Sequence, residues 1–186
     1  MPVISNVRHA VSAIVHILGT NHGYQFGSGA RLNRMSTCSK SDELQFSEEI
    51  RRLCRARGLF AIAEEMSAEA LTQRDRKNSV PESVARELSL PHKYCDPDRE
   101  MQARLGIADE GGIIAMGCMR GQSRRDIRAL VYAERRKREP LWKSELEILG
   151  LWPVLFICGS WHVPSFSSLL ETAGHPTSVV HRNWHA

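Results

Sequence analysis

The chain has 186 residues, a formal net charge of +4 and 42% hydrophobic residues. This length fits one ordinary domain with a single core, and the average hydrophobicity and small net charge exclude wholesale disorder. The most apolar stretch, 146–158, contains Glu147, Gly150 and Pro153 and is far shorter than the ~20 apolar residues that cross a bilayer. We therefore expect a single domain over residues 1–186 and no membrane partner.

The cysteines and the N-terminal segment bear on where the chain works. The five cysteines are an odd number, are widely scattered and include no CxxC pair, which predicts free thiols in a reducing compartment. The first 20 residues hold a short apolar run that polar side chains interrupt, with no small-residue cleavage site behind it. Together these features predict a cytoplasmic protein.

The first third of the chain predicts two strands separated by a loop and a helix. Residues 10–18 are apolar and rich in β-branched side chains, which is typical of a buried strand. Residues 23–41 show little periodicity, which predicts a long loop that covers a ligand pocket. A capping box at Ser39 predicts a helix that ends at Gly58, and 59–63 follow as a second buried strand.

The middle of the chain has clearer helix signals than strand signals. Ser79 and the glutamate three residues later predict a helix over 80–88. A third strand is predicted over 90–95, followed by a short helix that stops at Gly106. Residues 111–121 are rich in glycine, which predicts either a loop or a strand with bulges.

The last third of the chain completes an alternating pattern. Residues 123–139 are strongly helical and basic, and a proline then restarts the helix over 141–149. The clearest strand is 154–158, followed by a helix over 165–173 and a last apolar run over 177–180. Apolar strands that alternate with helices predict a single-domain α/β fold with a mainly parallel sheet and helices on both faces.

The carboxyl ends of the predicted strands carry ionisable side chains. His22 follows the first strand and His162 the late one, each as the last residue of a GxxH motif. The second strand runs into Glu64 and Glu65, and Asp96 follows the third. Because ligands bind beyond the carboxyl ends of parallel strands, we expect these side chains to converge. Imidazoles and carboxylates in one crevice can bind a metal or shuttle protons near neutral pH.

Each of these residues also has a purely structural interpretation. A single histidine at a strand end is more often a hydrogen-bonded structural residue. Glu64 and Glu65 are compatible with a solvated turn or a helix N-terminus, and alternation does not decide which of them faces the crevice. Asp96 and Asp98 are candidate helix caps, especially Asp98. Three tryptophans are expected to serve in packing: Trp152, Trp161 and Trp184.

The basic side chains of the predicted helix over 123–139 have two interpretations. Most are expected to form a solvated face. One arginine that enters the crevice would clamp a carboxylate or stabilise an oxyanion. The glycines of 111–121 lack the order of strand, glycine fingerprint and helix that a dinucleotide loop needs, so no nucleotide cofactor is expected.

Four segments of the chain occur in a combination that points to a family. They are GTxH at 19–22, the acidic pair at 64–65, Arg138-Glu139-Pro140-Leu141-Trp142 in a helix, and GxxH with the following helix at 159–170. Together they resemble the TraB/Tiki and erythromycin-esterase-like (ChaN-like) superfamily over nearly the whole chain. The resemblance implies an α/β hydrolase-like domain with two histidines, a glutamate and an arginine in one pocket. The matching positions are His22, Glu65 or Glu64, Arg138 and His162.

The branches of this superfamily imply different mechanisms. Some are described as metal-dependent proteases, whereas the esterase branch is thought to use a histidine and acidic groups without a required metal. The chain departs from both branches. It lacks the secretory or membrane segment of the Tiki branch, and it is shorter than the erythromycin esterases.

We therefore expect a hydrolase that acts on a peptide, an ester or a phosphoester. In one mechanism His22, Glu65 and His162 bind a divalent metal (Zn, Mn or Co), whose open position holds a nucleophilic water. In the other, one histidine is the general base, Glu65 orients it and Arg138 holds the oxyanion. The alternative is a non-enzymatic binding or sensor protein whose basic helix (124–138) contacts nucleic acid or another anionic partner.

Overall fold

The computed structural model describes residues 13–30 and 38–186. Its strands in chain order are β1 (Val15–Thr20), β2 (Ala61–Glu64), β3 (His92–Tyr94), β4 (Val154–Gly159) and β5 (Thr177–Trp184). They form one sheet in the order β3-β2-β4-β1-β5, and every pairing is parallel. The predicted α/β fold with a mainly parallel sheet is confirmed.

Helices connect and cover these strands. Within the described residues they are α1 (His22–Phe26), α2 (Lys40–Arg57), α3 (Ala68–Thr72), α4 (Val80–Glu87), α5 (Arg99–Arg104), α6 (Glu110–Met119), α7 (Arg124–Arg136), α8 (Glu139–Leu149) and α9 (Val163–Thr172). Ser39 and Asp42 form the predicted capping box of α2, and Gly58 ends that helix in the left-handed conformation. Ser79 caps α4 and Asp98 caps α5. Side-chain acceptors for the free N–H groups therefore fix where these helices begin.

Alternate residues of the central strand β4 face two different layers of helices. Phe156 packs with Trp142 of α8 and Phe166 of α9. Leu155 faces the other layer, where it packs in one cluster with Phe46 of α2. All residues of β4 are buried. Burial on both faces explains why the sequence of this strand is a continuous apolar run without alternation.

The first strand is shifted relative to its prediction. The predicted strand covered 10–18, whereas β1 begins at Val15 and continues through Gly19 to Thr20. Residues 10–12 lie outside the described residues. A Cβ at Gly19 would lie 2.3 Å from the carbonyl oxygen of Arg182. The glycine is therefore part of the strand and lets β5 approach closely.

The other strands differ from their predictions at their ends. β2 begins two residues later than the predicted 59–63, and β3 covers only the central part of the predicted 90–95. The last apolar run, predicted over 177–180, is the first half of β5. β5 lies at the edge of the sheet, beside β1. Most residues of β5 are only partly buried or exposed, so the strand continues through polar residues that apolar patterning does not detect.

The loop predicted over 23–41 is a loop only in part. Its first residues belong to α1, where the Asn21 side chain accepts a hydrogen bond from the Gly23 N–H at 2.9 Å. Its last two residues belong to α2. Residues 31–37 lie outside the described residues. The role of this segment as a pocket cover stays a prediction.

The glycine-rich segment 111–121 is neither a loop nor a bulged strand, because most of it forms α6. Asp109 accepts a hydrogen bond from the Gly112 N–H at 3.0 Å and caps the helix. A Cβ at Gly117 would lie 2.5 Å from Ile127 Cγ1 of α7. Glycines lower helix propensity and so concealed the helix from sequence analysis, although one of them permits close helix packing.

Two further expectations concern the cysteines and membrane spans. All five cysteines lie in the described residues, and they are unpaired, as predicted. In the part of the chain that the structure describes, the helices are too short or too polar to cross a bilayer.

Candidate active site

A cavity of about 570 Å³ opens at the carboxyl edge of the sheet. The ends of β1, β2 and β4 deliver His22, Glu65 and His162 to this cavity. Arg138 enters it from the N-terminus of α8, where it occupies the cap position. The neighbouring ends of parallel strands thus bring together three side chains that are far apart in the sequence, and the start of α8 adds the fourth.

Glu65 lies at the centre of the site, and its side chain is only 1% exposed. Its Oε1 is 3.6 Å from His22 Nε2 and 3.5 Å from His162 Nε2, and it accepts a hydrogen bond from Arg138 Nη2 at 2.9 Å. Its Oε2 accepts a hydrogen bond from the Gly159 N–H at 2.8 Å. Burial alone would raise the pKa of this carboxyl, but the two histidines, the arginine and the glycine N–H together hold it below its usual range. Glu65 is therefore a permanent anion near neutral pH.

Arg138 links Glu65 to a second carboxylate, Asp96. Its Nη1 donates to both Asp96 oxygens, at 3.0 and 2.9 Å. Trp142 Nε1 also donates to Asp96, at 3.0 Å. Burial raises the pKa of Asp96 while the nearby Arg138 charge opposes that rise. Burial lowers the pKa of Arg138, but the two carboxylates outweigh it and the net shift is upward. The guanidinium is therefore a fixed cation between two acids.

Both histidines are held through Nδ1, so that Nε2 faces the cavity. His162 Nδ1 lies 2.8 Å from Glu139 Oε1, which also accepts a hydrogen bond from Ser165 Oγ at 2.6 Å. His22 Nδ1 lies 2.9 Å from Gln25 Oε1. Glu139 and Gln25 are buried. When Nδ1 of a neutral imidazole donates its hydrogen to such an acceptor, the lone pair is on Nε2.

The structure distinguishes Glu65 from Glu64, which the sequence could not. Glu65 lines the cavity. Glu64 is fully buried and contacts Gln25, Ser79 and His92 instead.

Two arginines of the predicted basic segment line the cavity rather than one. Arg135 belongs to α7, whereas Arg138 lies beyond its end and caps α8. Arg135 pairs with Glu110 at 2.7 Å, so its charge is shared with α6. Arg136 is exposed. Arg136 is therefore a better control for charge removal than Arg135.

The tryptophans expected to pack do not behave alike. Trp184 is buried against Tyr24 and Phe46, and Trp152 stacks on His175. Trp161 packs against Tyr132, with ring centroids 5.5 Å apart, but it is 68% exposed and also lines the cavity. Trp161 directly precedes His162 and lies at the mouth of the cavity.

Sequence analysis did not identify Glu139 or Gln25 as site residues. Gln25 follows His22 by three positions, a spacing that places both on one side of a helical turn, but the segment was predicted as a loop. Glu139 is 23 positions from His162, and no local spacing links them. The available signal for Glu139 was its position next to Arg138 at a helix start.

The site geometry both favours and opposes a metal ion held by His22, Glu65 and His162. Separations of 3.5 and 3.6 Å between Glu65 Oε1 and the two Nε2 atoms suit neighbouring ligands of a tetrahedral ion with bonds of ~2.1 Å. Arg138 Nη2, however, lies 2.9 Å from the same oxygen and 3.4 Å from His162 Nε2. A guanidinium at that position opposes a second cation. In residues 13–30 and 38–186 no group of three or more His, Cys, Asp or Glu is arranged to hold a metal ion, and metal binding stays a prediction.

Comparisons with known proteins do not assign this site. No protein-family model matches the chain, and neither the curated proteins nor the solved structures include a match. The functional argument therefore depends on the geometry of the site.

Proposed function

We propose that the chain is a hydrolase of esters, peptides or phosphoesters whose site consists of His22, Glu65, Arg138 and His162. One observation carries the proposal: both imidazole Nε2 atoms and the arginine Nη2 converge on a single buried oxygen, Glu65 Oε1. Two bases, a cation and an anion in one cavity are the groups that acyl or phosphoryl transfer to water requires.

His162 is the general base in this proposal. Its Nδ1 is held by the buried carboxylate of Glu139 at 2.8 Å, and its Nε2 faces the cavity. The Nε2 lone pair accepts a proton from a water molecule as that water attacks the substrate. Glu139 then stabilises the imidazolium that forms, as the acid of a Ser-His-Asp triad does for its histidine.

Arg138 and Glu65 supply the electrostatics. Arg138 Nη2 lies between Glu65 Oε1 and His162 Nε2. When His162 takes up a proton, its Nε2 no longer accepts a hydrogen bond, so the Nη2 hydrogen on that side becomes available to the substrate without any rotation of the planar guanidinium. That hydrogen stabilises the developing oxyanion. Glu65 compensates the positive charge that then builds up among His22, Arg138 and His162.

The motifs that resemble those of the TraB/Tiki and erythromycin-esterase-like superfamily support the same chemistry. The proposal includes membership of that superfamily and, with Arg138 beside the bases, favours the metal-independent esterase mechanism. Five unpaired cysteines suit a reducing compartment, so the proposed place of action is the cytoplasm.

A substrate panel tests the proposal. Purified protein is assayed on 4-nitrophenyl acetate, bis(4-nitrophenyl) phosphate and a fluorogenic peptide, beside the variants His162→Gln and Arg128→Ala. The proposal predicts turnover of at least one substrate class. We expect the His162→Gln variant to lose about 10²–10⁴-fold in rate and Arg128→Ala, exposed on α7, to match the wild type. No turnover of any class, or turnover that His162→Gln retains, contradicts the proposal.

A second candidate is binding of nucleic acid through α7. Its exposed arginines are Arg124, Arg125, Arg128 and Arg136, and none forms an ion pair with residues 13–30 or 38–186. Binding through them would weaken steeply with salt because condensed counterions are released. In gel-shift titrations with DNA and RNA, Arg124→Ala should then reduce the salt slope by about one, and salt-independent or absent binding contradicts this candidate.

A further inference from the structure

A buried polar cluster lies directly behind His22 and is separate from the cavity. Glu64 and Gln25 are fully buried, and Ser79 is 1% exposed. Glu64 Oε2 accepts a hydrogen bond from Gln25 Nε2 at 3.0 Å. Glu64 Oε1 accepts from His92 Nε2 at 2.9 Å and from Ser79 Oγ. Three donors thus compensate this carboxylate for the loss of water.

Two of the donors to Glu64 belong to elements that pack against β2, namely α4 and β3. Ser79 is the N-cap of α4, and its Oγ also accepts the Glu82 N–H at 3.0 Å. His92 belongs to β3 and pairs with Ile62 in the register of the sheet. Glu64 itself is the last residue of β2. The carboxylate is therefore fixed in position and in orientation.

The direction of the Gln25 amide follows from this cluster. A carboxylate accepts hydrogen bonds and does not donate them, so the NH₂ end of Gln25 has to face Glu64. The carbonyl end, Oε1, is then left for His22 Nδ1 at 2.9 Å. An amide oxygen only accepts, so His22 Nδ1 has to carry a hydrogen. In the neutral ring, the lone pair is then on Nε2, which lies 3.6 Å from Glu65 Oε1.

We propose that Glu64 is a positioning residue that fixes the tautomer and orientation of His22 through the amide of Gln25. The two histidines of the site are thus held by carboxylates in different ways. Glu139 holds His162 directly, whereas Glu64 holds His22 through one intervening amide. The effect of Glu64 on catalysis rests on the proposed function, but its effect on the His22 tautomer does not.

The tautomer is measurable without a substrate. Two-dimensional ¹H–¹⁵N spectra of histidine-labelled protein, at a pH where the rings are neutral, distinguish Nδ1–H from Nε2–H for each residue. The wild type should show His22 as the Nδ1–H tautomer. In Glu64→Gln, His92 and Ser79 still donate to the oxygen of residue 64, so its NH₂ group faces Gln25. The Gln25 amide then has to turn, and His22 should lose its preference for the Nδ1–H tautomer.

Two further variants make the test specific. Gln25→Met keeps the side-chain length and removes the link, and it should produce the same loss of tautomer preference. Glu82→Gln changes a neighbouring carboxylate of the same region that does not contact Gln25, and it should leave His22 unchanged. In all three variants His162 should keep the tautomer that Glu139 sets. Gln25→Met leaves Glu64 with its His92 and Ser79 donors. If Glu64→Gln does not fold, the His22 tautomer in Gln25→Met therefore tests the proposal.

An unchanged His22 tautomer in a folded Gln25→Met or Glu64→Gln protein overturns the proposal. Equal changes at His22 and His162 also overturn it, because they indicate a general loosening of the site. If the wild type hydrolyses a substrate of the panel, Glu64→Gln should lower kcat, by no more than the roughly 10²–10⁴-fold that one acid–base group contributes, and leave KM unchanged. A shifted tautomer in a protein that hydrolyses nothing refutes the proposed function and leaves the role of Glu64 standing.

Discussion

Replacement of Arg138 by alanine should destabilise the fold far more than replacement of its neighbour Arg136. Arg138 contacts Glu65 and Asp96, whose side chains are only 1% and 13% exposed. Its removal leaves two poorly solvated carboxylates without their cation. Breaking a buried pair in this way costs about 3–5 kcal/mol. For a chain of 186 residues, about 2–4 °C in Tm per kcal/mol gives a drop of roughly 6–20 °C.

Urea unfolding at neutral pH and low salt measures this difference. Arg136 is exposed, so Arg136→Ala should remain within about 0.5 kcal/mol of the wild type. The triple variant Arg138→Ala/Glu65→Gln/Asp96→Asn should recover part of the loss, because it carries no unpaired buried charge. If Arg138→Ala and Arg136→Ala unfold at the same urea concentration, the reasoning from buried charge is refuted.

Three further outcomes are expected. The Glu65 pKa is lowered in the folded state, so the ionised carboxylate contributes fully to stability above the unfolded pKa of about 4.3 and loses this contribution as the pH falls through the folded value. Urea titrations should therefore show the difference in unfolding free energy between wild type and Glu65→Gln shrinking on acidification. A difference that does not change with pH counts against this assignment. Gly159→Ala places a Cβ 3.0 Å from His22 Nε2 and 3.3 Å from Glu65 Oε2 and should lower kcat in steady-state assays. The control Gly112→Ala in α6 should keep the wild-type kcat. A Gly159→Ala variant with the wild-type kcat speaks against a tightly packed site. EDTA should leave hydrolysis unchanged, and a loss that added zinc reverses would instead establish the metal mechanism.

Sequence analysis succeeded where local chemistry decides the structure. The capping box at Ser39 and the left-handed Gly58 bound α2 through contacts within a few residues, and such contacts are visible in the sequence. It failed at α6, where glycine content suggested an irregular segment, because the Asp109 cap and the packing of Gly117 against Ile127 outweigh low propensity. Tertiary packing of this kind has no local signature.

The candidate site shows the same division. His22 and His162 were identified because each follows a strand with the same spacing, and the parallel sheet brings such ends together. Glu139 was missed because a hydrogen bond between a helix start and a strand end has no fixed sequence separation, and Gln25 was missed because its segment was predicted as a loop. The choice between Glu64 and Glu65 likewise needed the direction of each side chain at the end of β2.

The most direct test of the central claim is a double-mutant cycle on His22 and His162, with kcat/KM measured on the substrate that the panel identifies. If the two imidazoles act as one unit around Glu65, His22→Ala and His162→Ala should each cost about 10²–10⁴-fold. The double variant should then be about as impaired as the worse single variant, because residues that act together are not additive. Full activity in both single variants, each confirmed as folded, would contradict the account.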